Sequence, residues 1–141
     1  PYIKEAVVIG NDRPQLTAMI CIDMGIVGKW AENQKISYTT YTDLAAKEPV
    51  YGLLEKEVEK VNEALPQAAK LRRFVLLYKD ADDEELTRTR KVRRGFVEDR
   101  YKDVIDALYS DRTQVPIDTT IKFQDGKTAR FQTTLLLRDL A

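Results

Sequence analysis

No histidine occurs among the 141 residues of this chain. That removes the side chain most used as a general base and as a metal ligand. A histidine-dependent triad or a His/Cys zinc site within the chain is therefore excluded. A single cysteine excludes an internal disulfide framework and fits a reducing compartment. Cys21 lies in the apolar run Ala18-Met19-Ile20-Cys21-Ile22, so it reads as a core residue rather than a reactive thiol. No apolar stretch approaches the roughly 20 residues that span a bilayer, and no secretory leader pattern is visible. Nor is there a net charge. The 23 cationic and 23 anionic side chains balance, which gives no global bias toward nucleic acid or an anionic membrane. A glycine-rich phosphate loop is also missing. The chain opens on Pro1, and a strand pattern begins a few residues later, so it reads as a piece of something longer.

What is present suits one domain with a real core. Glu5-Ala6-Val7-Val8-Ile9 and Leu16–Ile22 read as two strands, joined through the turn formers Gly10-Asn11-Asp12-Arg13-Pro14. Asp23 is placed to cap a helix whose apolar face is Ile26, Val27, Trp30 and Ala31. Residues 35–43 lack helical periodicity and read as loop. Over residues 49–65, Val50, Leu54, Val58, Val61 and Leu65 recur on one face, and Pro66 is a stop. Residues 74–78 form a continuous apolar run, as in a strand covered on both faces. Residues 92–109 read as another helix, with Phe96, Tyr101, Val104, Ile105 and Leu108 inward.

Two strands, 117–123 and 129–137, close the chain. A three-residue loop, Gln124-Asp125-Gly126 with Gly126 left-handed, pairs Phe123 with Lys127, Ile121 with Ala129 and Thr119 with Phe131. It puts Ile117, Ile121, Phe123, Phe131, Leu135 and Leu137 on one face. The expected class is α+β in the order β-β-α-α-β-α-β-β. A short sheet is packed by about three helices, and residues 113–141 form a C-terminal β-hairpin packed on or extending a domain of residues 1–112.

Few stretches carry chemistry. The acidic run Asp80-Ala81-Asp82-Asp83-Glu84-Glu85 lacks the ligand alternation and central glycine of a calcium loop and reads as a solvated surface loop; no metal site is expected. Tyr38, Tyr41 and Tyr51 have no basic residues between them and read as packing and anchoring groups rather than base-stacking ones. Arg72 and Arg73 read as a solvated strand edge, with a phosphate contact as the alternative.

The stretch ELTRTRKVRR, residues 85–94, holds Arg88, Arg90, Lys91, Arg93 and Arg94. One reading is a solvated basic turn that pairs with the acidic run. The other is a binding element. Cations at a helix start repel the dipole unless an anion joins them there. Lys91 offers a compact ammonium on a flexible stem, suited to a carboxylate or phosphate oxygen. No base or nucleophile accompanies it. The cluster therefore reads as an electrophilic clamp that serves a site on another domain.

Three stretches, PYIKEAVVIGNDRPQLTAMICID, LEKEVEKVNEALPQAAKLRRFVLL and LTRTRKVRRGFVEDRYKDVIDALY, together resemble the C-terminal domain of AMP-forming acyl-CoA synthetases. They are most similar to those of bacterial long-chain fatty acid–CoA ligases. The resemblance covers about residues 1–110. It implies a mobile lid that rotates between two half-reactions, acyl-adenylate formation from fatty acid and ATP, then thioester formation with coenzyme A. It implies a large N-terminal adenylation domain outside this chain as partner, binding ATP or AMP, Mg2+ and the acyl chain, and a cytoplasmic parent with peripheral membrane association as an option. The resemblance places Lys91 at the position of the adenylation lysine, with Arg90, Arg93 and Arg94 as further substrate or phosphate contacts. Arg90 stands where many relatives have glycine, and Arg88 where the long-chain branch usually has proline, so Arg90 competes with Lys91 for the role. Two other classes of function are a small nucleic-acid-binding module, opposed by the balanced charge, and a partner-binding domain using an exposed edge of the terminal hairpin.

Overall fold

The computed structural model describes residues 2–10, 15–79, 85, 88, 89, 91–122 and 128–140, with the backbone alone at 119–122 and 129–131. Five strands form one mixed sheet. Strands β1 (Ile3–Ile9) and β2 (Leu16–Ile22) are antiparallel, and β3 (Leu71–Leu76) runs parallel to β2. Strands β4 (Gln114–Lys122) and β5 (Thr128–Asp139) form a hairpin, and β5 pairs antiparallel with β3, giving the order β1-β2-β3-β5-β4.

A parallel pair needs a crossover. Here the crossover holds α1 (Met24–Asn33), α2 (Tyr41–Ala45) and α3 (Glu48–Glu63), followed by a short 3-10 turn at Gln67–Ala69. These helices cover one face of the sheet. Helices α4 (Arg94–Arg100) and α5 (Lys102–Leu108) cover the other. The strands therefore serve two cores by simple alternation. Met19, Cys21, Val75 and Leu77 face α4 and α5, while Ala18, Ile20, Ile22, Phe74 and Leu76 face α1–α3.

Local sequence explains most helix ends. Asp23 caps α1 as expected, its Oδ1 accepting from Ile26 N at 3.1 Å. At the other end Lys35 N donates to Glu32 O and Ile36 N to Ala31 O, with Lys35 left-handed at φ 60°. The end of the stretch read as loop, residues 41–43, begins α2. Its start is a capping arrangement in which Thr40 Oγ1 accepts from Asp43 N and Asp43 Oδ2 accepts from Thr39 N. The Thr39 N–H, with the Lys47 ammonium beside it, holds the Asp43 carboxyl below its usual range.

Several expected apolar positions turn outward. Ile26 and Val61 are exposed, and Asn62 is buried in Val61's place. The Asn62 side-chain amide pairs with both backbone groups of Leu71, at 3.0 and 2.9 Å, so it continues the bonding of β3 past its first residue. The expected helix over 92–109 is two helices meeting at Tyr101. The backbone there turns to φ −106°, ψ 26°, and the ring is buried edge-on to Tyr78. Phe96 is only partly buried, and Val97 takes the inward position.

The hairpin register agrees with the sequence reading, with Ile121 opposite Ala129 and Thr119 opposite Phe131. The turn and the Phe123–Lys127 pair lie outside the described residues. Strand β4 starts earlier than expected and adds the buried Val115. Pro116 lies inside the strand, tolerated because β4 is a sheet edge. Val115, Leu135 and Leu137 join the core under α4 and α5, and Leu140 joins the opposite core.

Candidate functional site

The segment carrying Lys91 leaves the sheet after β3 and returns at α4. Lys91 is exposed and stands two residues before Arg93, the N-cap residue of α4. Arg88, Arg93 and Arg94 are exposed as well, while Arg90 lies outside the described residues. No side chain caps α4, and its first turn holds no acidic residue. The Arg93 guanidinium stacks over Phe96, 5.1 Å from the ring centre. Arg94 donates to Val8 O at 2.5 Å and pairs with Glu98 at 3.6 Å, which ties it to the β1 edge.

Beneath this exposed surface lies an ionic cluster, built on one buried carboxylate, that sequence reasoning missed. Glu85, the last residue of the acidic run, is 2% exposed and not solvated as expected. Asp80–Glu84 lie outside the described residues. Lys79 Nζ lies 2.5 Å from Glu85 Oε1, and Arg100 Nη1 lies 3.6 Å from Oε2. Tyr101, buried at the end of α4, lies beside the same carboxylate. Its phenol pKa is pushed far up, by burial first and then by Glu85. The Glu85 carbonyl accepts from Arg93 N at 2.8 Å. The only hint in the sequence is that this acidic residue is the last before an apolar one, Leu86.

Arg73 also differs from expectation. It is 6% exposed and donates to the carbonyls of Ala107, Leu108, Ser110 and Arg112, closing the C-terminus of α5. Its Nε lies 2.7 Å from Asp139 Oδ1. The guanidinium is committed to the interior and is not placed to meet a phosphate. Tyr38, Tyr41 and Tyr51 are packing and anchoring groups, as read: Tyr41 Oη accepts from Ile22 N, and the Tyr51 hydroxyl bonds backbone groups of Leu76 and Leu136. Cys21 is buried in the core. Among the described residues no group of three or more carboxylates and thiols stands ready to hold a metal ion.

Chemically, the surface can present an exposed ammonium to an anion. The chain has no histidine to act there as a general base. A family model described as the AMP-binding enzyme C-terminal domain matches residues 1–113, ending one residue before β4. The long-chain-fatty-acid–CoA ligases FadD15 of Mycobacterium tuberculosis and of Mycobacterium bovis are each 33% identical over 113 residues, 78% of this chain. That stretch is 19% of their own length, so the chain spans about a fifth of those relatives. Among solved structures, the adenylation domain of a carboxylate reductase from Mycobacterium chelonae aligns with TM-score 0.57 and 20% identity, over 79% of this chain and 16% of that one. The A-PCP didomain of a carboxylic acid reductase from Segniliparus rugosus, in complex with AMP, aligns with TM-score 0.54 and 19% identity, over 77% and 14%. At that identity the likeness is one of fold.

Proposed function

Because the chain belongs to the family of AMP-binding enzyme C-terminal domains, we propose that it is the mobile lid of a long-chain fatty acid–CoA ligase. Residues 1–112 are the lid, and the hairpin of residues 113–141 extends it. Its partner is the enzyme's own N-terminal adenylation domain, outside this chain, which binds ATP and the fatty acid. The overall reaction converts fatty acid, ATP and CoA into acyl-CoA, AMP and pyrophosphate. Mg2+ belongs to that other domain in this reading. The parent acts in the cytoplasm, with peripheral membrane contact suiting its acyl substrate.

The observation that carries the reading is Lys91, an exposed cation just ahead of an uncapped helix start. When the lid closes, its ammonium meets the fatty-acid carboxylate and the α-phosphate together. It holds the attacking oxygen in line and offsets the negative charge that develops on phosphorus. In a closed, water-poor site such a group contributes several kcal/mol to the barrier reduction. Arg90 is the competitor for this role, and Arg93 and Arg94 are secondary phosphate contacts. The 33% identity to FadD15 supports a fatty acid over other carboxylates.

The test is direct. The full-length protein, given ATP, CoA and a series of fatty acids, should release AMP and acyl-CoA in equal amounts, and the isolated chain should release neither. Release of ADP, or turnover by the isolated chain, contradicts the proposal.

A further inference from the structure

We infer that Glu85 is the positioning residue for Lys91, a buried carboxylate that fixes the base of the segment from which the lysine works. The inference rests on the reading of Lys91 as the adenylation lysine. Three observations converge on it. The Glu85 carbonyl accepts from Arg93 N, so the two ends of the intervening segment are bonded to each other. The Glu85 carboxylate is bonded through Oε1 to Lys79, just past β3, while Oε2 lies 3.6 Å from Arg100 at the end of α4, an ion pair without a hydrogen bond. Val92, next to Lys91, packs on the core and lines, with Glu85, Cys21, Val97 and Tyr101, an almost wholly apolar cavity of about 20 Å³.

Arg100 then carries the constraint back to the loop's exit. Its guanidinium stacks 4.7 Å from the Phe96 ring, which Arg93 also covers. Glu85 thus links three places, a strand end and a helix end through its carboxylate and the N-cap residue through its backbone carbonyl.

A buried carboxylate is a costly way to fill space, since an apolar side chain of similar volume often does so with no loss of stability. What it adds is direction. Charge-assisted bonds hold their partners in one geometry, and a lysine brought in by a moving lid must arrive within a narrow tolerance. A displacement near 1 Å in such a group costs about a hundredfold in rate.

The experiment uses the full-length protein with Glu85→Gln, which keeps the side-chain shape and removes the charge. Adenylation is followed by fatty-acid-dependent pyrophosphate release, and thioester formation by supplying preformed acyl-adenylate and CoA. The expected result is a fall of about tenfold to a hundredfold in the adenylation kcat. KM for ATP and the thioester step should stay within about twofold. Arg100→Met keeps an apolar stem over Phe96 and should give the same split to a smaller degree, so it serves if Glu85→Gln fails to fold. An equal loss in both half-reactions, or no loss in a folded variant, overturns the inference. Lys91→Ala, run alongside, separates the two levels. If it abolishes adenylation while Glu85→Gln does not, only the positioning role fails. If it spares adenylation, the Lys91 reading fails and the inference falls with it.

Discussion

Tyr51 shows how much one side chain can hold together. Its ring stacks on Phe74, and its hydroxyl accepts from Leu76 N at 3.3 Å and Leu136 N at 3.2 Å, bridging α3 to β3 and β5. Burial pushes its phenol pKa up to about 12 from 10. Burial also raises Tyr78, and burial with Glu85 raises Tyr101. A phenol whose folded pKa lies above its unfolded value favours folding while it is neutral. The Tyr51 contribution is therefore complete below pH 10 and lost as pH rises through about 12. Stability followed by urea unfolding should fall over that window, and Tyr51→Phe should remove part of the slope. A curve unchanged by the substitution would contradict this.

At this scale the sequence was legible wherever a role follows from near neighbours, as with the Asp23 cap and the core position of Cys21. It was opaque for Arg73 and Glu85. Their partners lie on other elements, and a charged residue next to other charges reads as solvated until those partners are known.

Elements were read well where their period was long and regular, as in α3 and β2. Helix α2 was missed because five residues give no periodicity, although Thr40 and Asp43 stood at capping spacing. The division of 92–109 was missed because the hydrogen bonds continue across Tyr101, from Tyr101 N to Val97 O and from Ile105 N to Tyr101 O. The apolar pattern therefore stays helical throughout. The hairpin makes the sharpest claim at this scale. Strand β5 pairs with β3 through Asp139, Arg138 and Leu137, and Leu140 N donates to Arg72 O. Ending the chain at residue 113 opens the β3 edge and uncovers core contacts of Val115, Leu135, Leu137 and Leu140. Full burial of each such side chain is worth about 1.5–3 kcal/mol, comparable in sum to a small domain's whole stability. The truncated chain should melt at a much lower temperature, or without cooperativity, and should self-associate in light scattering. An unchanged cooperative melt would show the hairpin to be an accessory.

For the whole molecule, the sheet separates two cores and the Lys91 segment lies on the α4–α5 side. For the proposed lid, this puts Lys91 on one face of the sheet and leaves the other face to α1–α3. The missing histidine removes the commonest general base from this chain, and among the described residues no group of three or more carboxylates and thiols stands ready to hold a metal ion. Which cation acts was not legible from charge alone, since five lie within residues 88–94. The most direct measurement is adenylation by the full-length protein carrying Lys91→Ala, followed by pyrophosphate release with fatty acid and ATP, with thioester formation from supplied acyl-adenylate measured beside it. Loss of pyrophosphate release with the thioester step retained is the predicted result. Retained adenylation, or an equal loss of both steps, would contradict the account.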